Sequence, residues 1–154
     1  MDSFVNESDG FDAANPPRYE SREAIERLNT VLHLPFTEGM QDWDVELADA
    51  SRLGEFCALY ETGGLDFKER FALMRLIVAS LDDLLSVGDP GGAPELVTRV
   101  IRVLRKDCAL HFHTVEYWCL LEEDDPENVF AVTPLLRQVW RECFEPEYAA
   151  GIIG

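Results

Sequence analysis

The sequence predicts an all-α, single-domain bundle of about five helices with two central apolar helices. Apolar residues recur at i, i+3, i+4 and i+7 through most of residues 18–146, and no period-2 run is longer than Val129 to Val132. Capping residues stand where these apolar runs begin or end. The 154 residues, 47 % hydrophobic and 28 % charged, suffice for one domain whose core needs neither metal nor disulfide.

Residues 1–17 combine Asp, Glu, Asn, Ser and Gly with Asn15-Pro16-Pro17 and show no period, which predicts a mobile acidic arm. From Tyr19 to His33, Ile25, Leu28, Val31 and Leu32 keep helical spacing behind Ser21, a candidate N-cap, and Leu34-Pro35 is expected to end this first helix. Residues 35–44 read as a connection. Leu53, Phe56, Cys57 and Tyr60 define a second helix that starts between Asp44 and Ser51 and reaches about Glu61, with Gly63-Gly64 as its left-handed stop. Asp66 with Glu69 makes a variant capping box for a third helix, about 67–87, too apolar for a surface position.

Residues 86–94 read as a turn, with Pro94 suited to a first helical position. Val97, Val100, Ile101, Leu104, Cys108, His111, Val115, Trp118 and Cys119 then keep one face, predicting a single long fourth helix of more than 20 residues. Glu122 to Pro126 breaks that pattern, and Thr133 is expected to cap a fifth helix, about 134–145, that buries Leu135, Leu136, Val139, Trp140 and Cys143. Residues 147–154 read as a loosely held C-terminal tail.

Thirty acidic residues against thirteen basic give a net charge of −17. A field of that sign repels phosphate backbones and anionic lipid, so neither nucleic acid nor membrane is an expected partner. With no 18-residue apolar stretch, and no basic start ahead of an apolar segment at the N-terminus, a soluble cytoplasmic chain is expected. The acidity is peripheral: residues 1–66 carry −11, residues 67–121 are neutral and residues 122–154 carry −6. The candidate partner-binding residues are therefore Asp42, Asp44, Glu46 and Asp49, together with Glu122, Glu123, Asp124, Asp125 and Glu127, offered to a basic protein. Arg99, Arg102, Lys106, His113 and Tyr117 cluster opposite the apolar seam. They are expected to pair with Glu20, Glu23 and Glu26, or else to form a homodimer or anion contact.

Catalytic signatures are missing: the chain holds no GxSxG, GxxxxGK[ST], GxGxxG or HExxH, and nothing points to a cofactor. Cys57, Cys108, Cys119 and Cys143 show no zinc or redox spacing and fall on apolar stripes, as buried free thiols would. His111 lies in the seam and reads as a core histidine; His113, about 200° away on a continuous helix, cannot share a ligand with it. Asp82 stands at the margin of the third helix's apolar face, where a carboxylate needs a partner: Arg75, His111 or Trp118. An alternative reading is a helical metal-dependent hydrolase built on Asp82, His111, His113 and Glu116. All-α nucleotide pyrophosphohydrolases use paired ExxE and ExxD motifs on facing helices, and here Glu23-x-x-Glu26 is present but Glu122-x-x-Asp125 falls in a loop. An acidic DNA mimic needs evenly spaced carboxylates, which the Glu46-Asp49 and Glu122 to Glu127 groups are not.

The stretches ERFALMRLIVASLDDLL, LHFHTVEYW and VFAVTPLLRQVW, within about residues 66–141, resemble small acidic all-helical bacterial immunity proteins, the neutralising partners of secreted or contact-delivered toxins. The resemblance implies a non-enzymatic protein that binds and blocks a toxin in the cytoplasm. It is expected to act without cofactor or metal, as a monomer or as a homodimer through Arg99, Arg102 and Lys106.

Overall fold

The computed structural model describes residues 10–87 and 93–145, and among these residues there are seven α-helices and no strand. They are α1 (Arg22–Leu32), α2 (Trp43–Glu46), α3 (Leu53–Thr62), α4 (Phe67–Ser86), α5 (Ala93–Lys106), α6 (Phe112–Cys119) and α7 (Thr133–Cys143), with short 3-10 turns at Ala50–Arg52 and Pro126–Asn128. The all-α expectation holds. The helix count rises from about five because the predicted fourth helix is divided and a short α2 begins within residues 35–44, expected to be a connection.

α4 is the centre. Phe71, Leu73, Met74, Leu76, Ile77, Val78 and Leu81 are fully buried or nearly so, because α1, α2, α3 and α5 pack around this helix on several sides. Its start is the capping box read from the sequence: the Asp66 carboxylate accepts from Glu69 N at 2.8 Å, and Glu69 accepts from Asp66 N at 3.1 Å. α6 and α7 pack as a pair, and α7 also rests on α5.

Ser21 caps α1 as expected, accepting from Ala24 N at 3.1 Å. The helix ends earlier than Leu34-Pro35, at His33, which turns left-handed with φ 51°. The stop after α3 divides between two glycines. Gly64 supplies the positive φ of 63°, while Gly63 stays right-handed, and a Cβ there would lie 2.5 Å from Leu59 O.

The predicted long fourth helix is two helices. Between α5 and α6 the chain turns through Leu110 N to Asp107 O and His111 N to Cys108 O, each 3.0 Å. Neither Gly nor Pro marks the turn, and both helices bury the same side against the core, so the apolar spacing runs on through the break. Thr133 also differs from expectation: it is the first helical residue of α7, and its hydroxyl accepts from Phe130 N and donates to Trp118 O. Val129 to Val132 forms no strand.

Of the predicted arm, residues 1–9 lie outside the described residues, as do residues 88–92 of the turn expected at 86–94 and the whole of the tail expected at 147–154. Phe11 packs on Phe67, with ring centroids 5.6 Å apart, so the arm's end is tied to α4. Among the described residues no helix is long and apolar enough to cross a membrane.

Candidate functional site

Three surface concavities join into one face. The first, about 700 Å³, lies between α1 and the connection that leads into α2. A second, of about 350 Å³, is lined by Arg18, Tyr19 and residues of α6, and a third, of about 420 Å³, by the end of α6 and the turn after it. Tyr19 and Arg75 line the first and second, and Glu116 and Tyr117 line the second and third. These shared residues link Asp42 and Asp44 at one end of the face to Glu122 and Glu123 at the other.

The fold thus brings together two acidic edges that are far apart in sequence. Between them stand two aromatic side chains open to solvent, Tyr19 at 80 % and Tyr117 at 57 % exposure. Rigid aromatic rings exposed amid charge are what protein recognition uses for anchoring, because they offer area at little cost in side-chain entropy. Carboxylates outnumber cations in the first concavity: Glu20, Glu26, Glu38, Asp42 and Asp44 stand against Arg22 and Arg75.

Arg75 holds this face from below. Its Nε lies 3.2 Å from Glu20 Oε2 and 3.5 Å from Asp44 Oδ2, and its Nη1 donates to Arg18 O at 3.1 Å. Burial pushes the Glu20 carboxyl up, and Arg75 works against that shift. Two sequence expectations are corrected here. Arg75 serves Glu20 and Asp44 and not Asp82, and Glu20 is matched by Arg75 and not by the Arg99 to Lys106 stripe. Asp44 is only 4 % exposed, so it is a pillar of the face and not a free contact.

The other acidic candidates divide by task. Asp42 is exposed. Glu46 Oε2 accepts from Gln41 N and Asp42 N at 3.0 Å each, and Asp49 Oδ1 caps the 3-10 turn by accepting from Ser51 N at 3.0 Å. Asp125 does the same for Glu127 N, and Glu123 accepts from Asp125 N. Glu122, Asp124 and Glu127 are exposed. Arg137 fixes this second edge, donating to the carbonyls of Cys119, Leu120 and Glu123 at 2.6–2.9 Å and so closing the end of α6, where Leu120 turns left-handed. Spacing pointed to Arg75 only as a partner for Asp82 and did not signal Arg137, since each reaches partners distant in sequence.

The residues of the hydrolase alternative make separate contacts. Asp82 Oδ1 accepts from Val132 N at 3.0 Å, capping the entry to α7 in place of the expected Arg75, His111 or Trp118. His111 is fully buried and meets Tyr60 Oη at 2.7 Å through Nε2. His113 Nδ1 lies 3.5 Å from Glu116 Oε1 on the second concavity. Among the described residues no three His, Cys, Asp or Glu side chains gather as a metal cage. In the basic stripe Arg99 Nη2 binds Glu61 Oε1 at 2.8 Å, while Arg102 and Lys106 are exposed. The break between α5 and α6 separates this stripe from His113 and Tyr117.

The chain matches no family model, no curated protein and no solved structure.

Proposed function

We propose that the protein is a non-enzymatic binding module that captures a basic protein across this face, in the manner of an immunity protein neutralising a cationic toxin domain. The observation that carries the reading is the joining of both acidic edges into one face with Tyr19 and Tyr117 at its centre. A net charge of −17 steers a cationic partner before contact, and the tyrosines supply the short-range energy that charge in water does not. Arg75 and Arg137, bound from within, hold the two ends in place before a partner arrives, which lowers the ordering cost of association.

The test is calorimetric titration of the full chain with a candidate basic toxin domain. The reading expects saturable binding that Tyr19→Ala and Tyr117→Ala each weaken about tenfold or more, with unchanged melting temperature. No binding, or binding indifferent to both variants, would overturn it.

A further inference from the structure

The second concavity differs in charge balance from the acidic edges on either side of it. Arg18, Arg75 and His113 line it against a single carboxylate, Glu116, which His113 Nδ1 approaches to 3.5 Å. Arg75 is engaged by Glu20 and Asp44, whereas the exposed Arg18 guanidinium has no partner among the described residues. The Arg18 backbone is held at the site, its carbonyl accepting from Arg75 Nη1 at 3.1 Å.

Thr114 lines the same concavity at only 4 % exposure, and its buried hydroxyl has no hydrogen-bond partner among the described residues. A helical threonine ordinarily satisfies this group on the carbonyl four residues back, as Thr62 does on Ala58 O at 2.8 Å and Thr98 on Pro94 O at 2.9 Å. Thr114 is the third residue of α6, so the residue four back, Leu110, lies before the helix, in the turn. A buried donor without an acceptor calls for a ligand. No bond holds the hydroxyl in its present rotamer, and threonine has a second one open to it in a helix, so it is free to turn toward a group seated in the concavity.

We propose that this concavity receives one carboxylate, from an aspartate or glutamate side chain of the captured protein, between the rings of Tyr19 and Tyr117. Arg18 supplies charge-assisted hydrogen bonds and the Thr114 hydroxyl a further one. The inference rests on the capture reading above and narrows the partner to a surface with cations opposite the two acidic edges and one acid opposite the centre. A uniformly basic surface would press its own cations against Arg18, so this pattern discriminates against polycations that the net charge of −17 attracts. A carboxylate suits the site better than a phosphate dianion because Glu116, its side chain 49 % exposed, also faces the ligand space.

The experiment titrates the full chain with two oligolysine peptides that differ only in a central glutamate or glutamine. Calorimetry gives the affinities, NMR follows the Arg18 Nε–H and the Thr114 amide, and acetate and inorganic phosphate serve as free-anion arms. Both peptides should bind, the glutamate peptide about fivefold tighter although it carries one positive charge less. The glutamate peptide alone should move the two signals. Arg18→Gln and Thr114→Val should each remove most of the preference, and Thr114→Val should keep its melting temperature, since it deletes a hydroxyl that bonds to nothing. Weaker binding of the glutamate peptide, or a preference unchanged in both variants, would overturn the proposal and leave capture standing. Binding of neither peptide would overturn both. Saturable shifts with acetate or phosphate alone would assign the site to a free anion and overturn the partner side chain as its occupant.

Discussion

The Tyr60 phenol oxygen lies 2.7 Å from His111 Nε2 and 2.6 Å from Asp107 Oδ2, joining α3 to the turn that separates α5 from α6. The single phenolic hydrogen goes to the Asp107 carboxylate, so the Nε2–H of His111 donates to the phenol oxygen and the unprotonated nitrogen is Nδ1. That nitrogen has no hydrogen-bond partner among the described residues. Arg70 Nε stands 3.6 Å from Asp107 and balances its charge. Burial and the nearby Asp107 push the Tyr60 phenol far above its ordinary range, so it remains protonated and keeps the chain of donors in one direction.

Tyr60→Phe removes the acceptor of His111 and a donor to Asp107 while keeping the ring. A loss of about 1–3 kcal/mol in urea unfolding is expected, since a buried polar group left unpaired costs its full desolvation. A loss below about 0.5 kcal/mol would mean that the phenol bridge is not formed.

Burial, with Arg70 nearby, holds His111 down to about 3 from an ordinary 6.5. The folded state therefore prefers the neutral ring, and between those two values the unfolded chain binds more protons. Stability is lost as pH falls through this window, with a slope from this residue approaching about 1.4 kcal/mol per pH unit. Chemical denaturation from pH 7 to pH 4 should show that slope, reduced in His111→Gln. An identical pH dependence in the variant would assign the acid sensitivity elsewhere.

Arg75→Met strands Glu20 and the buried Asp44 beside each other. At pH 7 a destabilisation of about 3 kcal/mol is expected, because removal of one partner leaves uncompensated charge. The deficit should shrink near pH 4 as the raised Glu20 carboxyl takes up its proton. A pH-independent deficit would show that packing, not charge, is what Arg75 supplies.

Asp82→Ala removes the cap on Val132 N, with an expected loss of about 1 kcal/mol and partial recovery in Asp82→Asn. Equal stability of all three proteins by thermal melting would exclude the capping role.

What the sequence made legible was local. The Asp66–Glu69 capping box, the Ser21 cap and the apolar richness of α4 follow from spacing alone, because each depends on residues within a few positions. Asp82 was readable as a carboxylate needing a partner, but the partner is a backbone N–H 50 residues away, which no periodicity reports. The turn at 107–111 was hidden for a related reason: a hydrogen-bond network to Tyr60 and Arg70 sets it, and the apolar pattern continues across it. For the candidate face, the acidic edges and the outward side of Tyr117 were visible in composition and helical angle. Their union with Tyr19 was not, since it arises only when α1, α4 and α6 are packed.

Association kinetics test the account's central claim most directly. The full chain is passed over an immobilised candidate basic toxin domain, from 0.01 M to 0.15 M salt. Over this range the Debye length falls from about 30 Å to about 8 Å. The on-rate should drop tenfold or more while the off-rate holds nearly constant, because long-range charge governs encounter and the close contacts at Tyr19 and Tyr117 govern release. Charge-neutral Asp42→Asn and Glu122→Gln/Glu123→Gln variants should lower the on-rate at low salt. A salt-independent on-rate, or one untouched in both variants, would contradict capture through the acidic face.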